Sequence, residues 1–235
     1  MRSFVLVALL AGLRATSAGP HDPDGRLATL TARIARAPHD AALRVERGRL
    51  LTALGDLTAA RADLEVALCR QPDHGRAVAA LADVEYLAGN DVAALGLCRR
   101  ARAAGVADAE LQRLQARVLV ALGRDAEAAP LFAAALAAGE RGEPGHYLEL
   151  AASRERSGDP AAALAVLERG LHELGPTIAL VDAAVALDLA AGRGDAALAR
   201  LELLRPFVQR PDFLAARIAA VAPATNPPPA LATNR

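Results

Sequence analysis

The chain has 235 residues, of which 53% are hydrophobic and 23% charged, with a formal net charge of zero. That is ample apolar material for a folded, soluble body. All 27 basic residues are arginine, aromatics are 3% and tryptophan is absent. No net basic balance and few stacking rings argue against a nucleic-acid partner.

The chain opens Met1-Arg2-Ser3, runs apolar from Phe4 to Leu13, and continues Arg14-Ala15-Thr16-Ser17-Ala18. A basic start, a short apolar stretch and a small-residue end predict a secretory signal peptide over 1–18, cleaved after Ala18. The apolar stretch is too short for a permanent span of a bilayer core. An uncleaved anchor and an ordinary helix start are the alternatives. Cleavage would remove Arg2 and Arg14, leaving 25 arginines against 27 acidic residues. No later apolar run is long and charge-free, so no further membrane segment is expected.

Asp24 to Arg36 places Leu27, Leu30 and Ile34 on one face of a helix. The segment 19–40 is therefore expected to form an N-terminal capping helix. From Ala41 onward the chain repeats. Glycines stand at 55, 89, 123, 158 and 192, at spacings of 34, 34, 35 and 34. Five residues after each comes an alanine: Ala60, Ala94, Ala128, Ala163 and Ala197. A fixed period of that length predicts a solenoid whose units bury their apolar faces only against neighbours.

In the first unit, Leu43, Leu50, Leu51 and Leu54 mark one helix face and Gly55-Asp56 breaks the helix. A second helix is expected from about Leu57 to Arg70, closed by Gln71-Pro72-Asp73. So short a turn makes the two helices antiparallel neighbours. Small residues at Gly48 and Ala60 allow close backbone approach. The same register carries Gly48, Ala82, Ala116, Ala151 and Val185, and another carries Leu64, Cys98, Phe132, Leu167 and Leu201. A third carries Ala67, Ala101, Ala135, Gly170 and Leu204. The period divides the chain into five units: 41–74, 75–108, 109–143, 144–177 and 178–208. A C-terminal cap over 209–221 has Leu214, Ile218 and Val221 facing inward. The tail 222–235, with Pro223, Pro227, Pro228 and Pro229, is expected to be disordered.

This pattern of small and large residues over Ala41 to Val208 resembles the tetratricopeptide repeat family. The resemblance implies an all-α, right-handed superhelical solenoid of antiparallel helix pairs with capping helices. Two registers depart from the family's aromatic preferences: Arg44, Val78, Gln112, Tyr147 and Val181, and Leu51, Glu85, Leu119, Arg154 and Asp188. They point to looser packing in the later units. The closing proline is replaced by Val106 and Glu140 and returns at Pro176.

The resemblance also implies that first helices line a concave groove holding a peptide or partner helix. Carried over by position, the groove-facing candidates are Val45, Arg49, Arg76, Asp83, Tyr86, Arg113, Arg117, Val120, Leu148, Glu155 and Arg156. Arg49, Asp83, Tyr86, Arg113, Arg117 and Arg156 are the expected partner-binding residues. The arginines supply forked donors for carboxylates, and Tyr86 an aromatic anchor. Solvated helix faces are the competing account of the same charges. The family's carboxylate clamp needs Lys and Asn; here stand Val45 and Arg49, so that activity is not expected.

Catalytic signatures are sparse. Without lysine there is no phosphate-loop or Schiff-base lysine. After residue 18 the serines are Ser153 and Ser157, neither in a nucleophile elbow. Histidines at 21, 39, 74, 146 and 172 lack metal-ligand spacing, so no metal and no cofactor is expected. Arg193-Gly194-Asp195 falls at a turn where Gly and Asp stop and start helices, and reads as that rather than as an adhesion sequence. Cys69 and Cys98 lie on second helices of adjacent units. Two small buried thiols are expected, with a disulfide as the alternative. The function expected is a non-enzymatic adaptor or scaffold for a protein or peptide partner. The Lys-free, Ala/Arg-rich usage suggests a GC-rich bacterium, and so a periplasmic or extracellular place. A self-associating structural protein and, more remotely, a cryptic hydrolase are the alternatives.

Overall fold

The computed structural model describes residues 22–139 and 142–221. The expected signal peptide, 1–18, and the tail expected to be disordered, 222–235, lie outside the described residues. Among those described there are twelve α-helices and no strand. They are α1 (Pro23–Arg36), α2 (Ala41–Ala53), α3 (Leu57–Arg70), α4 (Gly75–Leu87), α5 (Asp91–Ala103) and α6 (Ala109–Ala121). The chain continues with α7 (Asp125–Ala138), α8 (Pro144–Arg156), α9 (Pro160–Leu174), α10 (Ile178–Ala190), α11 (Gly194–Glu202) and α12 (Pro211–Val221).

The helix ends are set by local chemistry. Asp40 accepts from the backbone N–H groups of Ala42 and Leu43 at 2.9 and 3.2 Å, satisfying donors that the first turn of α2 leaves open. Asp56, Asp108, Asp159 and Thr177 do the same for α3, α6, α9 and α10. At the other end Gly55 adopts φ +83°, and its N–H and that of Asp56 return to the carbonyls of Thr52 and Leu51. A Cβ would strain that conformation, so glycine marks the end of α2, and each phased glycine repeats the turn. Helix α11 is shorter than its counterparts, nine residues, and begins at Gly194 inside the Arg-Gly-Asp tripeptide.

Consecutive helices pair as α2/α3, α4/α5, α6/α7, α8/α9 and α10/α11, with each pair stacked on the next. First helices of neighbouring pairs also pack together, α2 on α4, α4 on α6 and α8 on α10, more closely than second helices do. α6 and α8 do not pack as closely as the others. The apolar core runs the length of the stack. One cluster joins α2 to α4, a second spans α4 to α10, and a third joins α10 to α12. Leu68 and Leu97 bridge the first two, and Leu171 the last two. α1 seals one end with Leu30 and Ile34 against Leu43, and α12 closes the other with Leu214 and Val221.

Small residues set the spacing between paired helices. A Cβ at Gly48 would stand 2.9 Å from Leu64 Cγ, so the α2 backbone sits directly on a fully buried side chain. Tyr147 is also fully buried, and its ring lies against Gly142 and Gly170, where a Cβ would come within 2.6 and 2.8 Å of it. Its hydroxyl donates to Glu173 Oε2 at 2.5 Å.

The two registers that depart from the family's aromatics are filled in part by core residues, among them Val78, Tyr147 and Val181, and in part by ion-paired Arg44, Glu85 and Asp188. Asp188 is fully buried and accepts from Arg193 Nε at 2.9 Å and Arg200 Nε at 2.5 Å. Glu85, in the same register, accepts from Arg61 Nε at 2.8 Å and from Asn90 at 2.7 Å. Asp63, nearly buried, is held by Arg44 and Arg47. These charges replace the contact area an aromatic would give.

The cysteines depart from expectation in one respect. Both are free, and Cys98 is buried, but Cys69 is exposed. Helix α3 turns Cys69 outward, one residue past the core-facing Leu68.

Candidate functional site

The first helices of the first three pairs enclose an open cavity of about 590 Å³. It is lined by three successive registers of the period. Arg76 and Glu110 hold equivalent positions, as do Ala79 and Arg113, and as do Arg49, Asp83 and Arg117. On each helix these positions are three, four or seven apart, hence on one face. Thr52 on α2 adds a buried hydroxyl that donates to the Gly48 carbonyl at 2.8 Å. Leu87, 52% exposed, stands at the apolar edge.

Four arginines meet three carboxylates in this lining, and most are already engaged. Asp108 caps α6, accepting from Leu111 N–H at 2.9 Å. Arg117 donates to Glu149 Oε1 on α8 at 2.6 Å. Arg49 reaches past α4 to α6, where one guanidinium nitrogen touches both oxygens of Glu110, at 2.8 and 3.0 Å. Arg76 and Arg113 form no hydrogen bond or ion pair within the described residues. Asp83, in the middle, also has none there. Burial lifts its carboxyl above the ordinary range, Glu110 adds to the lift, and Arg117 and Arg49 oppose it. At the start of α8, burial first and Arg113 second hold His146 below its usual value. Its Nδ1 accepts from the Glu143 N–H at 3.2 Å, the task of a neutral ring.

Of the residues expected to bind a partner, Arg49, Asp83, Arg113 and Arg117 line this one cavity, together with Arg76. Tyr86 and Arg156 do not. Tyr86 packs part-buried against the long core cluster. Arg156 donates to Asp125 Oδ1 on α7 at 2.8 Å, toward the second-helix layer. Val45 is in the core, and Val120 and Leu148 lean on it. Glu155 is exposed away from the cavity. Glu110 and Leu87 were not among the residues expected from the sequence. Glu110 could have been found by stepping one period on from Arg76, and Leu87 lies four residues past Asp83 on the same face.

The lining contains no serine, cysteine or histidine. Its polar groups are four guanidiniums, three carboxylates and one hydroxyl. Among the described residues no cluster of His, Cys, Asp and Glu is arranged to hold a metal ion. None of the described helices is long and apolar enough to cross a membrane.

Stacked helix pairs with a cavity on the first-helix face define a repeat solenoid. Residues 51–118 match the tetratricopeptide repeat model, and the same hairpin plan continues on both sides, so the fold is of the tetratricopeptide repeat type. Proteins of this family generally mediate protein–protein interaction. Its fold is similar to that of YrrB, described as a TPR protein with an unusual peptide-binding site. That match has TM-score 0.65 and 19% identity, over 81% of this chain and 97% of YrrB. PilW, described as a widely conserved type IV pilus biogenesis factor, gives TM-score 0.70 at 14% identity, over 86% of this chain and 91% of PilW. A tetratricopeptide repeat protein from Parabacteroides merdae gives TM-score 0.57 at 17% identity, over 85% and 78% of the two chains. A comparison with curated proteins gives no match.

Proposed function

We infer that this protein is an exported adaptor that holds an extended segment of another protein in the cavity formed by α2, α4 and α6. The carrying observation is the cavity itself. Three helices from three units turn one polar face, with two unengaged arginines and an unengaged carboxylate, toward a common space. Asp83 and Arg113 are half-buried, and such charges without partners lose hydration and gain nothing in return, so together with the exposed Arg76 they are placed for a ligand that completes them. YrrB, with a similar fold, is described by its peptide-binding site. The signal-peptide-like pattern expected over 1–18 and the likeness to PilW favour a place in the bacterial envelope, in assembly or maturation of exported proteins.

A photo-cross-linking residue at Leu87, on the cavity edge, tests the assignment against one at Val92, 77% exposed on α5. In intact cells the Leu87 probe is expected to capture a discrete envelope protein and the Val92 probe to capture none. Equal capture at both positions removes the cavity from the function. Fusing residues 1–30 to alkaline phosphatase tests export, and an inactive fusion removes the envelope.

A further inference from the structure

The Arg49–Glu110 pair is unlike the other ion pairs of the molecule. It joins residues 61 apart, links α2 to α6 past the intervening α4, and both its members line the cavity. Both partners are well exposed, 50% for Arg49 and 74% for Glu110, so water screens the pair and it opens readily. The same lining holds Arg76 and Arg113, without carboxylate partners among the described residues, and Asp83, whose proton is held more tightly because of burial first and the nearby Glu110 second.

We propose that Glu110 is an internal stand-in for an acidic side chain of the partner: the cavity takes an extended segment bearing Asp or Glu, which displaces Glu110 from Arg49 and gathers Arg49, Arg76 and Arg113 around the incoming carboxylate. The proposal rests on the cavity being the binding site. A guanidinium already engaging a carboxylate through both oxygens needs no rearrangement to engage another. Once Glu110 swings aside, four arginines face two remaining acids, Asp83 and the helix-capping Asp108, and the cavity changes from nearly balanced to cationic. A basic segment would meet the reverse: it would find Asp83 ringed by arginines that repel it. Glu110 thus keeps the free groove charge-balanced and sets a threshold that only an acidic guest crosses.

The test uses fluorescence anisotropy with the full chain and three labelled peptides of twelve residues. In one, Glu alternates with Ala; in the second, Gln replaces Glu; in the third, Arg replaces it. The Glu peptide is expected to bind best, and Glu110→Gln to tighten it about three- to five-fold, the strength of an exposed pair removed from competition. Arg76→Ala with Arg113→Ala should weaken it ten-fold or more. Arg205→Ala, at a surface pair far along the stack, should leave affinity unchanged and so controls for net charge. Circular dichroism verifies that each variant is folded. Equal binding of the Gln or Arg peptide, or a Glu110→Gln affinity no better than the parent's, overturns the stand-in. Charge-blind binding that Leu87→Arg still abolishes overturns it while leaving the cavity as the site. Binding of no peptide overturns it too, and then cross-linking at Leu87 alone decides the cavity's role.

Discussion

Asp188→Ala should cost about 3 kcal/mol of stability. The carboxylate has 1% of its side-chain surface exposed and joins two arginines that differ in exposure, 48% for Arg193 and 16% for Arg200. Arg193 can turn to water when its partner goes, so its share is that of a surface pair, under about 1 kcal/mol. Arg200 cannot. Only Glu168, itself 54% exposed, remains to hold its guanidinium, and a lost charge-assisted bond in such a site costs roughly 1.5–3 kcal/mol. Urea unfolding followed by circular dichroism measures the loss. With a slope near ~2 kcal/mol/M the midpoint should fall by about 1.5 M. Asp188→Leu combined with Arg200→Met should recover most of it, because the pair is then removed together and the space refilled. A midpoint for Asp188→Ala within about 0.5 kcal/mol of the parent, the size of an ordinary surface change, would falsify the assignment of Asp188 as a structural anchor.

Gly48→Ala gains helix propensity but drives a Cβ to 2.9 Å from the fully buried Leu64, so a net loss of about 1–2 kcal/mol is expected in thermal melts; any stabilisation would mean the helices can part. One thiol per chain, Cys69, should react with a maleimide in the native state, and Cys98 only after unfolding, since burial pushes its thiol up to about 11. The same shift gives a stability contribution that is complete below about pH 9 and lost as pH rises through 11, which Cys98→Ala should flatten in alkaline melts. Asp83, raised mainly by burial, binds its proton more tightly folded than unfolded, so its contribution is greatest below the ordinary carboxylate value and declines as pH rises past it. Asp83→Asn should therefore raise Tm at pH 7 and lose that advantage at pH 3; equal gains at both would contradict the burial of a charge there.

Most of the architecture was legible because it is written in period. Phased glycines end first helices, aspartates or a threonine open many of the helices, and the alternation of Leu64-type and Ala67-type registers specifies which faces meet. The cavity was legible only in part. Arg49, Asp83, Arg113 and Arg117 share a face by arithmetic, but period alone does not say how far a long side chain reaches. Arg156 was drawn to Asp125 on a neighbouring second helix, and Arg49 crossed to a helix two removed. Tyr86 has the helical phase of a groove residue, yet leans into the core. Cys69 differs from Cys98 in phase, not in chemistry, and its exposure comes from the single residue that separates it from Leu68.

The ring of Tyr147 fits only because residue 170 is glycine where its counterparts are Ala67, Ala101, Ala135 and Leu204. The fourth hairpin is therefore not interchangeable with its siblings. Arrays of this kind grow by duplicating units and shuffling them, but a copy of any other second helix placed here would collide with the tyrosine. This stretch of the chain must be inherited, lost or transplanted whole.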